Sequence, residues 1–217
     1  MATRLAVLLF TCAALGPARA AAAAIEAQVR DTLGKPVADA VVYAAPASGP
    51  LEARASKAAA VEQVDREFVP YVSVIQTGTA VTFPNRDAIL HHVYSFSPAK
   101  SFEFKLYTGK SPSEVRFDKP GLVTLGCNIH DWMIAYILVV STPYFARTDD
   151  KGVARIRDVP AGSYELRAWH PNQRASPEAT LSMAVGLDAS TQLRPAFAIE
   201  LVPRKPRYKP PLDRLKY

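Results

Sequence analysis

Cys127-Asn128-Ile129-His130-Asp131-Trp132-Met133 is the stretch whose reading decides the rest of the chain. A thiol, an imidazole three residues on and a thioether three further on sit on one short loop. Upstream, His91-His92 offers a further imidazole from a distant segment. A thiolate and two imidazoles in a plane, with a thioether along the axis, form the donor set of a mononuclear copper centre. Thiolate and thioether favour the cuprous ion and imidazole tolerates both oxidation states. Other readings of the same residues remain open at this point. Cys127 could be a nucleophile activated by His130, three of the four donors also suit zinc, and a lone cysteine is often an inert core residue.

The cysteine count sharpens the argument. The chain has two cysteines, and Cys12 lies inside the apolar run Leu5 to Leu15, which follows Arg4 and precedes Ala18-Arg19-Ala20. That pattern predicts a cleaved signal peptide over 1–22, and hence an exported, periplasmic protein. Only Cys127 would survive cleavage, so an internal disulfide is excluded and the thiol needs another explanation. That apolar run is too short to span a bilayer, and no later segment reaches the roughly 20 apolar residues of a membrane-spanning helix. The formal net charge of +6 falls to +4 without Arg4 and Arg19. Much of the excess lies in the proline-interrupted tail 203–217, where Arg204, Lys205, Arg207, Lys209, Arg214 and Lys216 face only Asp213. Such a tail suits an acidic partner or an anionic membrane surface. Nothing in the chain reads as a nucleic-acid module.

Outward from the loop, the chain reads as strands and turns. Leu122 to Leu125 follows Pro120-Gly121, and Met133 to Val140 is a near-continuous apolar run that suits a buried strand. Val153 to Arg157 and Tyr164 to Trp169 alternate around Pro160-Ala161-Gly162, and Val69 to Phe83 is broken by Thr77-Gly78. Turn signals at this spacing predict an all-β protein of sandwich or barrel type. Leu51 to Val64, rich in Ala, Lys and Glu, reads as a helix or a linker, the linker being placed at 51–59.

The loop also resembles that of the cupredoxins, amicyanin and pseudoazurin above all, in its Cys, His and Met spacing. Phe83-Pro84-Asn85-Arg86-Asp87-Ala88-Ile89-Leu90-His91-His92-Val93 resembles the amicyanin stretch that carries the first imidazole ligand, with Leu90 where a Pro is usual. Phe68-Val69-Pro70, Gly78-Thr79-Ala80-Val81 and Pro120-Gly121 fit the same frame. The resemblance implies a Greek-key β-sandwich over 60–142 that binds one type 1 copper ion through His91, Cys127, His130 and Met133. It implies one-electron transfer with redox partner proteins, no enzymatic turnover, and an imidazole edge of His130 facing solvent. Adjacent strand residues face opposite ways, and the motif match favours His91 over His92. Asn85 is expected to brace the ligand loops, Trp132 to shield the metal or pack against the sandwich, and Asp131 to stand solvated.

Two flanking pieces resemble the halves of a carboxypeptidase-regulatory-like β-sandwich: Val29-Arg30-Asp31 through Ala40-Val41-Val42, and Thr148 to Gly152 followed by Val159 to Leu166. The layout is similar to that of exported methylamine-utilisation-type cupredoxin proteins. It implies a second small sandwich built from 23–50 and 143–202, with the copper-binding part set between them. His170 belongs to that second sandwich and reads as structural. The alternatives to electron transfer are a copper carrier or sensor using the same ligands, and a binding module whose flanking sandwich recognises protein or glycan.

Overall fold

The computed structural model describes residues 22–48 and 58–202, and every regular element among them is a β-strand. The expected signal segment, up to residue 21, and the basic tail 203–217 lie outside the described residues. No helix among the described residues is long and apolar enough to cross a membrane.

Strand β1 (Ala23–Asp31) buries Ala23, Ile25, Ala27 and Val29 and turns Glu26 outward, the period-two pattern of a half-buried strand. It ends where the Asp31 carboxylate accepts the N–H groups of Leu33 and Lys35 and Gly34 adopts φ +80°. β2 (Val41–Pro46) follows. Residues 59–140 then hold β3 (Ala59–Ala60), β4 (Glu62–Val64), β5 (Glu67–Val69), β6 (Val72–Gln76), β7 (Thr79–Thr82), β8 (His91–Ser97), β9 (Lys100–Tyr107), β10 (Val115–Phe117), β11 (Gly121–Gly126) and β12 (Ile134–Val140). The chain returns through β13 (Phe145–Arg147), β14 (Val153–Val159), β15 (Gly162–Trp169), β16 (Leu181–Leu187), β17 (Gln192–Leu193) and β18 (Ala196–Ile199).

These strands make two sandwiches. In the first, a five-stranded sheet of order β6-β12-β11-β8-β9 faces the three-stranded sheet β10-β7-β3 across a core of Val81, Phe83, Phe117, Val123, Leu125 and Ile137. The β4–β5 hairpin lies beside them. In the second, β1 pairs with β14, β17 and β18, while β2 joins β13, β15 and β16. Ile25, Val29, Val42, Ile156, Leu166 and Phe197 fill the space between those sheets.

A third cluster explains the continuous apolar run of β12. Ala135, Ile137 and Val139 enter the core of the first sandwich, while Leu138 and Val140 pack with Val41, Val72 and Trp169. Tyr136 meets Trp169 with ring centroids 6.3 Å apart. Both faces of β12 are therefore covered, and no polar alternation survives. Trp169 is fully buried and its indole N–H donates to the Pro177 carbonyl at 2.6 Å. Truncating a side chain so placed costs about 3–5 kcal/mol.

The helix expected over Leu51 to Val64 is corrected for its described part. Residues 59–64 are extended, with Ala59 opposite Val81, Ala60 opposite Thr82 and Gln63 opposite Phe68. Val61 and Gln63 are buried and their neighbours are not, so the period is two. Strand pairing here outweighs the helix propensity of Ala and Glu, which is worth only tenths of a kcal/mol per residue. Ala59 accordingly belongs to β3 rather than to the expected linker, whose residues 51–57 lie outside the described residues.

Candidate metal centre

The ladder of β11 and β12 runs from Gly121↔Val139 to Gly126↔Ile134. Pairing Gly126 with Ile134 forces residues 127–133 into one closed loop at the sheet end, tightened where the Met133 N–H donates to the His130 carbonyl at 2.8 Å. β8 lies on the other side of β11, with Tyr94 opposite Gly126. That pairing carries the start of β8, and so His91, to the same end. The β8–β9 ladder shifts register between His91 and Val93, a bulge of the kind that re-aims side chains beside functional sites.

The result is a closed group of three donors. His91 Nδ1 and His130 Nδ1 are 3.2 Å apart, and Cys127 Sγ stands 3.6 Å from His130 Nδ1 and 4.0 Å from His91 Nδ1. A point equidistant from these atoms lies roughly 2.1 Å from each, inside the range of about 2.0–2.3 Å for bonds from imidazole nitrogen and thiolate to a metal ion of this kind. Both histidines are fully buried and Cys127 is 4% exposed. His92, by contrast, points away. Its Nε2 lies 2.9 Å from Glu103 Oε1 but out of line for a hydrogen bond, and its ring meets Tyr94 edge-on at 5.7 Å. The structure thus brings His91 to the group and leaves His92 on the outer face.

The electrostatics keep the donors ready for a cation. Burial lowers the His91 pKa, opposed in part by Asp87. Burial, with the nearby charges of His91 and Arg66, pushes His130 down to about 4. Both rings are therefore neutral at neutral pH, with lone pairs available. Burial raises the Cys127 thiol, against the backbone N–H groups of His92, Ile129 and His130, which favour the thiolate. A bound metal ion would take the place of that proton.

Asp87 orients the set, and sequence reasoning passed over it. Its Oδ2 lies 2.7 Å from His91 Nε2, and its two carboxylate oxygens accept the N–H groups of Asp65 at 2.7 Å and Arg66 at 2.9 Å. With its Nε2 proton held there, His91 turns the Nδ1 lone pair toward Cys127. Burial alone would raise the Asp87 pKa, but the hydrogen bonds from His91, Arg66 and Asp65 hold it below the ordinary value. The one available signal was an acid four residues before a candidate ligand.

The other expected residues fall as follows. Met133 is 1% exposed and belongs to the same core cluster as Cys127. Both line a shallow cavity of about 240 Å³ with Tyr94, Asn128 and Asp131. Asn85 braces the His91 loop: its amide donates to the carbonyls of Ile89 and Tyr107 at 2.8 Å, and its oxygen accepts the Asp87 N–H at 2.9 Å. Tyr107, pushed up to about 12 chiefly by burial, donates to the Phe83 carbonyl, and Gln63 Nε2 lies 2.6 Å from its oxygen. Asp131 is exposed. His170 accepts the Asn172 N–H at 3.1 Å within the second sandwich.

One expectation is overturned. His130 has no solvent-facing edge, since its exposure is 0%. The Trp132 ring lies 5.0 Å from it, pinned by an indole N–H that donates to the Arg66 carbonyl at 3.1 Å. Trp132 therefore shields the group, with the β4–β5 turn as its anchor.

No protein-family model and no curated protein matches the chain. Solved structures do resemble part of it. A Cu-containing nitrite reductase from Thermus scotoductus SA-01 is 24% identical, with a TM-score of 0.37 over 44% of this chain. The match spans only 25% of the nitrite reductase. A reduced Cu(I) form of an amicyanin mutant is 19% identical over 40% of this chain and 86% of its own, with a TM-score of 0.36. A purple cupredoxin from Nitrosopumilus maritimus is 21% identical over 38% of this chain and 99% of its own, with a TM-score of 0.34.

Proposed function

We propose that this protein is an exported, periplasmic cupredoxin that binds one type 1 copper ion and carries single electrons, without substrate turnover. The observation that carries the reading is the triangle of His91 Nδ1, Cys127 Sγ and His130 Nδ1, buried and sized for one ion. His91, Cys127 and His130 would hold copper, with Met133 supplying a thioether beside them. Copper so held supplies a one-electron couple with little rearrangement between its two states. The chain's own part is to fix the tautomer of His91 through Asp87, to keep both imidazoles neutral, and to exclude water with Trp132. Zinc is disfavoured by Met133, a thioether in the same buried cluster as Cys127, since zinc takes imidazole, thiolate and carboxylate donors whereas thioether suits copper.

The layout is part of the proposal. Residues 60–142 form the copper-binding unit, set into a carboxypeptidase-regulatory-like sandwich made by 23–50 and 143–202. The separate hydrophobic cores of the two sandwiches support this division. The segment 1–22 directs export, and the tail 203–217 is available to an acidic partner or membrane surface.

The test is the visible absorption and electron paramagnetic resonance spectrum of the cupric protein. An intense thiolate-to-copper band with narrow copper hyperfine splitting, both lost in Cys127→Ser, is the expected result. A colourless protein that takes up no copper sinks the reading. The burial of His130 favours a second reading, a copper carrier with no electron-transfer duty. Slow, irreversible voltammetry of a protein that nonetheless shows the blue spectrum would select it.

A further inference from the structure

Both imidazoles of the candidate centre are closed to solvent, yet Cys127 has a neighbour that is not. β8 turns His92, Tyr94 and Phe96 to the outer face of the five-stranded sheet, and Phe96 is 74% exposed. Tyr94 and Phe96 lie with ring centroids 5.1 Å apart at 34°, and His92 meets Tyr94 edge-on at 5.7 Å. The second sandwich covers β12 and the Leu122 end of β11 on this face through Trp169, Tyr43 and Phe145. The three rings of β8 stand outside that cluster.

The Tyr94 ring lies directly on the strand that delivers the cysteine. A Cβ added to Gly126 would come within 2.7 Å of the Tyr94 ring, so only glycine admits the contact. Gly126 is bonded to Cys127, and Tyr94 and Cys127 line one cavity. A second connection runs from the thiolate to the backbone N–H of His92, whose ring touches Tyr94. Two short routes from the sulfur thus meet at one aromatic ring, which lies tilted against the exposed Phe96.

We propose that electrons enter and leave through Tyr94 and Phe96 on the outer face of β8, rather than through the His130 ring. The proposal rests on the copper reading above. In the oxidising direction one electron passes from the cuprous site to an outer-sphere acceptor at Phe96, leaving the site cupric. With hexacyanoferrate(III) as acceptor, iron(III) becomes iron(II). No bond forms or breaks and no proton moves, because Tyr94 bridges without being oxidised. Tyr94 and Phe96 act through the ligand Cys127 and are positioning residues.

The experiment places charge at each candidate port and follows oxidation of the cuprous protein by hexacyanoferrate(III) in stopped flow. Phe96→Glu is expected to slow the second-order rate about tenfold at low salt and Phe96→Lys to raise it, as for a charge at a contact point. Tyr94→Phe should retain the rate, and Tyr94→Leu should lower it with the reduction potential unchanged. Leu90→Glu, on the exposed loop before His91, should stay within twofold. A readout free of copper comes from the apoprotein titrated with hexacyanochromate(III), an inert paramagnetic analogue. Amide broadening centred on Tyr94 and Phe96 supports the port. Broadening centred on Leu90 and the Trp132 indole, or rates that follow Leu90 rather than Phe96, overturns it. Either result in a protein with the blue spectrum and a reversible potential leaves the copper reading intact, whereas failure to form that spectrum defeats the reading itself.

Discussion

Removing the Asp87 carboxylate separates positioning from mere packing. The group accepts three hydrogen bonds, at 2.7 Å from His91 and at 2.7 and 2.9 Å from the backbone of Asp65 and Arg66, and its side chain is 15% exposed. A hydrogen bond to a charged group contributes about 1.5–3 kcal/mol. The backbone pair lies near the surface, so its share is small, and Asp87→Ala should destabilise the copper-free protein by about 3 kcal/mol. The effect on the metal is separate. Without its acceptor, the fully buried His91 ring loses the contact that directs Nδ1 inward, and loss of such a partner weakens metal binding by roughly 10–100-fold. Competition with a chromophoric cuprous chelator measures that affinity, and urea unfolding of the apoprotein measures stability. Asp87→Asn keeps one oxygen for His91 and the Arg66 N–H but sets its NH2 against the Asp65 N–H, so it should recover affinity more than stability. An Asp87→Ala protein that is destabilised yet holds copper within twofold of the parent would refute the orienting role.

Met133→Leu should keep copper and raise the reduction potential, since a weak donor is lost; an unchanged potential in voltammetry would make Met133 core alone. His91→Ala should abolish the charge-transfer band while His92→Ala retains it, as absorption spectra of the two proteins would report. The apoprotein should lose stability on acidification. His130 is pushed down to about 4 from 6.5, so its contribution is full above pH 6.5 and lost as pH falls toward 4, by up to about 3 kcal/mol. Urea midpoints across that range should fall, and a flat profile would mean the ring is less enclosed than it stands here.

The parts of the centre that lie close together in sequence were legible without coordinates. Cys127 and His130 share one loop, so their spacing announced them; the alternation of strand faces admitted one of His91 and His92, and the amicyanin-like motif favoured His91. Asp87 was not legible, because an acid in a polar loop looks solvated until its loop folds back on His91. The cover over His130 depends on the β4–β5 turn meeting Trp132, a contact across 66 residues of sequence. The hairpin of β8 and β9 went unread for a related reason. Lys100 to Tyr107 is mostly half-buried or exposed, an edge strand that touches the core through Phe102, Phe104 and Tyr107. At Ala59 and Ala60, composition pointed to helix, and only the partners Val81 and Thr82 make an extended chain the better choice. The unbroken apolar run of β12 was read as a buried strand, while the identity of its second cover, Trp169, came only with the fold.

The second sandwich also sets an order of assembly. β2 finds its partner β13 only about a hundred residues later, at Tyr43↔Phe145, and β1 waits longer still for β14 and β18. Joining such distant segments through an unstructured chain is entropically costly and slow. If residues 59–140 collapse first, β6 and β12 lie side by side, and the next few residues deliver β13 to β2. The metal-site half then acts as a template for the half that encloses it. Such a chain would close its outer sandwich last, so a defect in the inner one would surface as an unpaired β1 and β2, ready to pair with another chain.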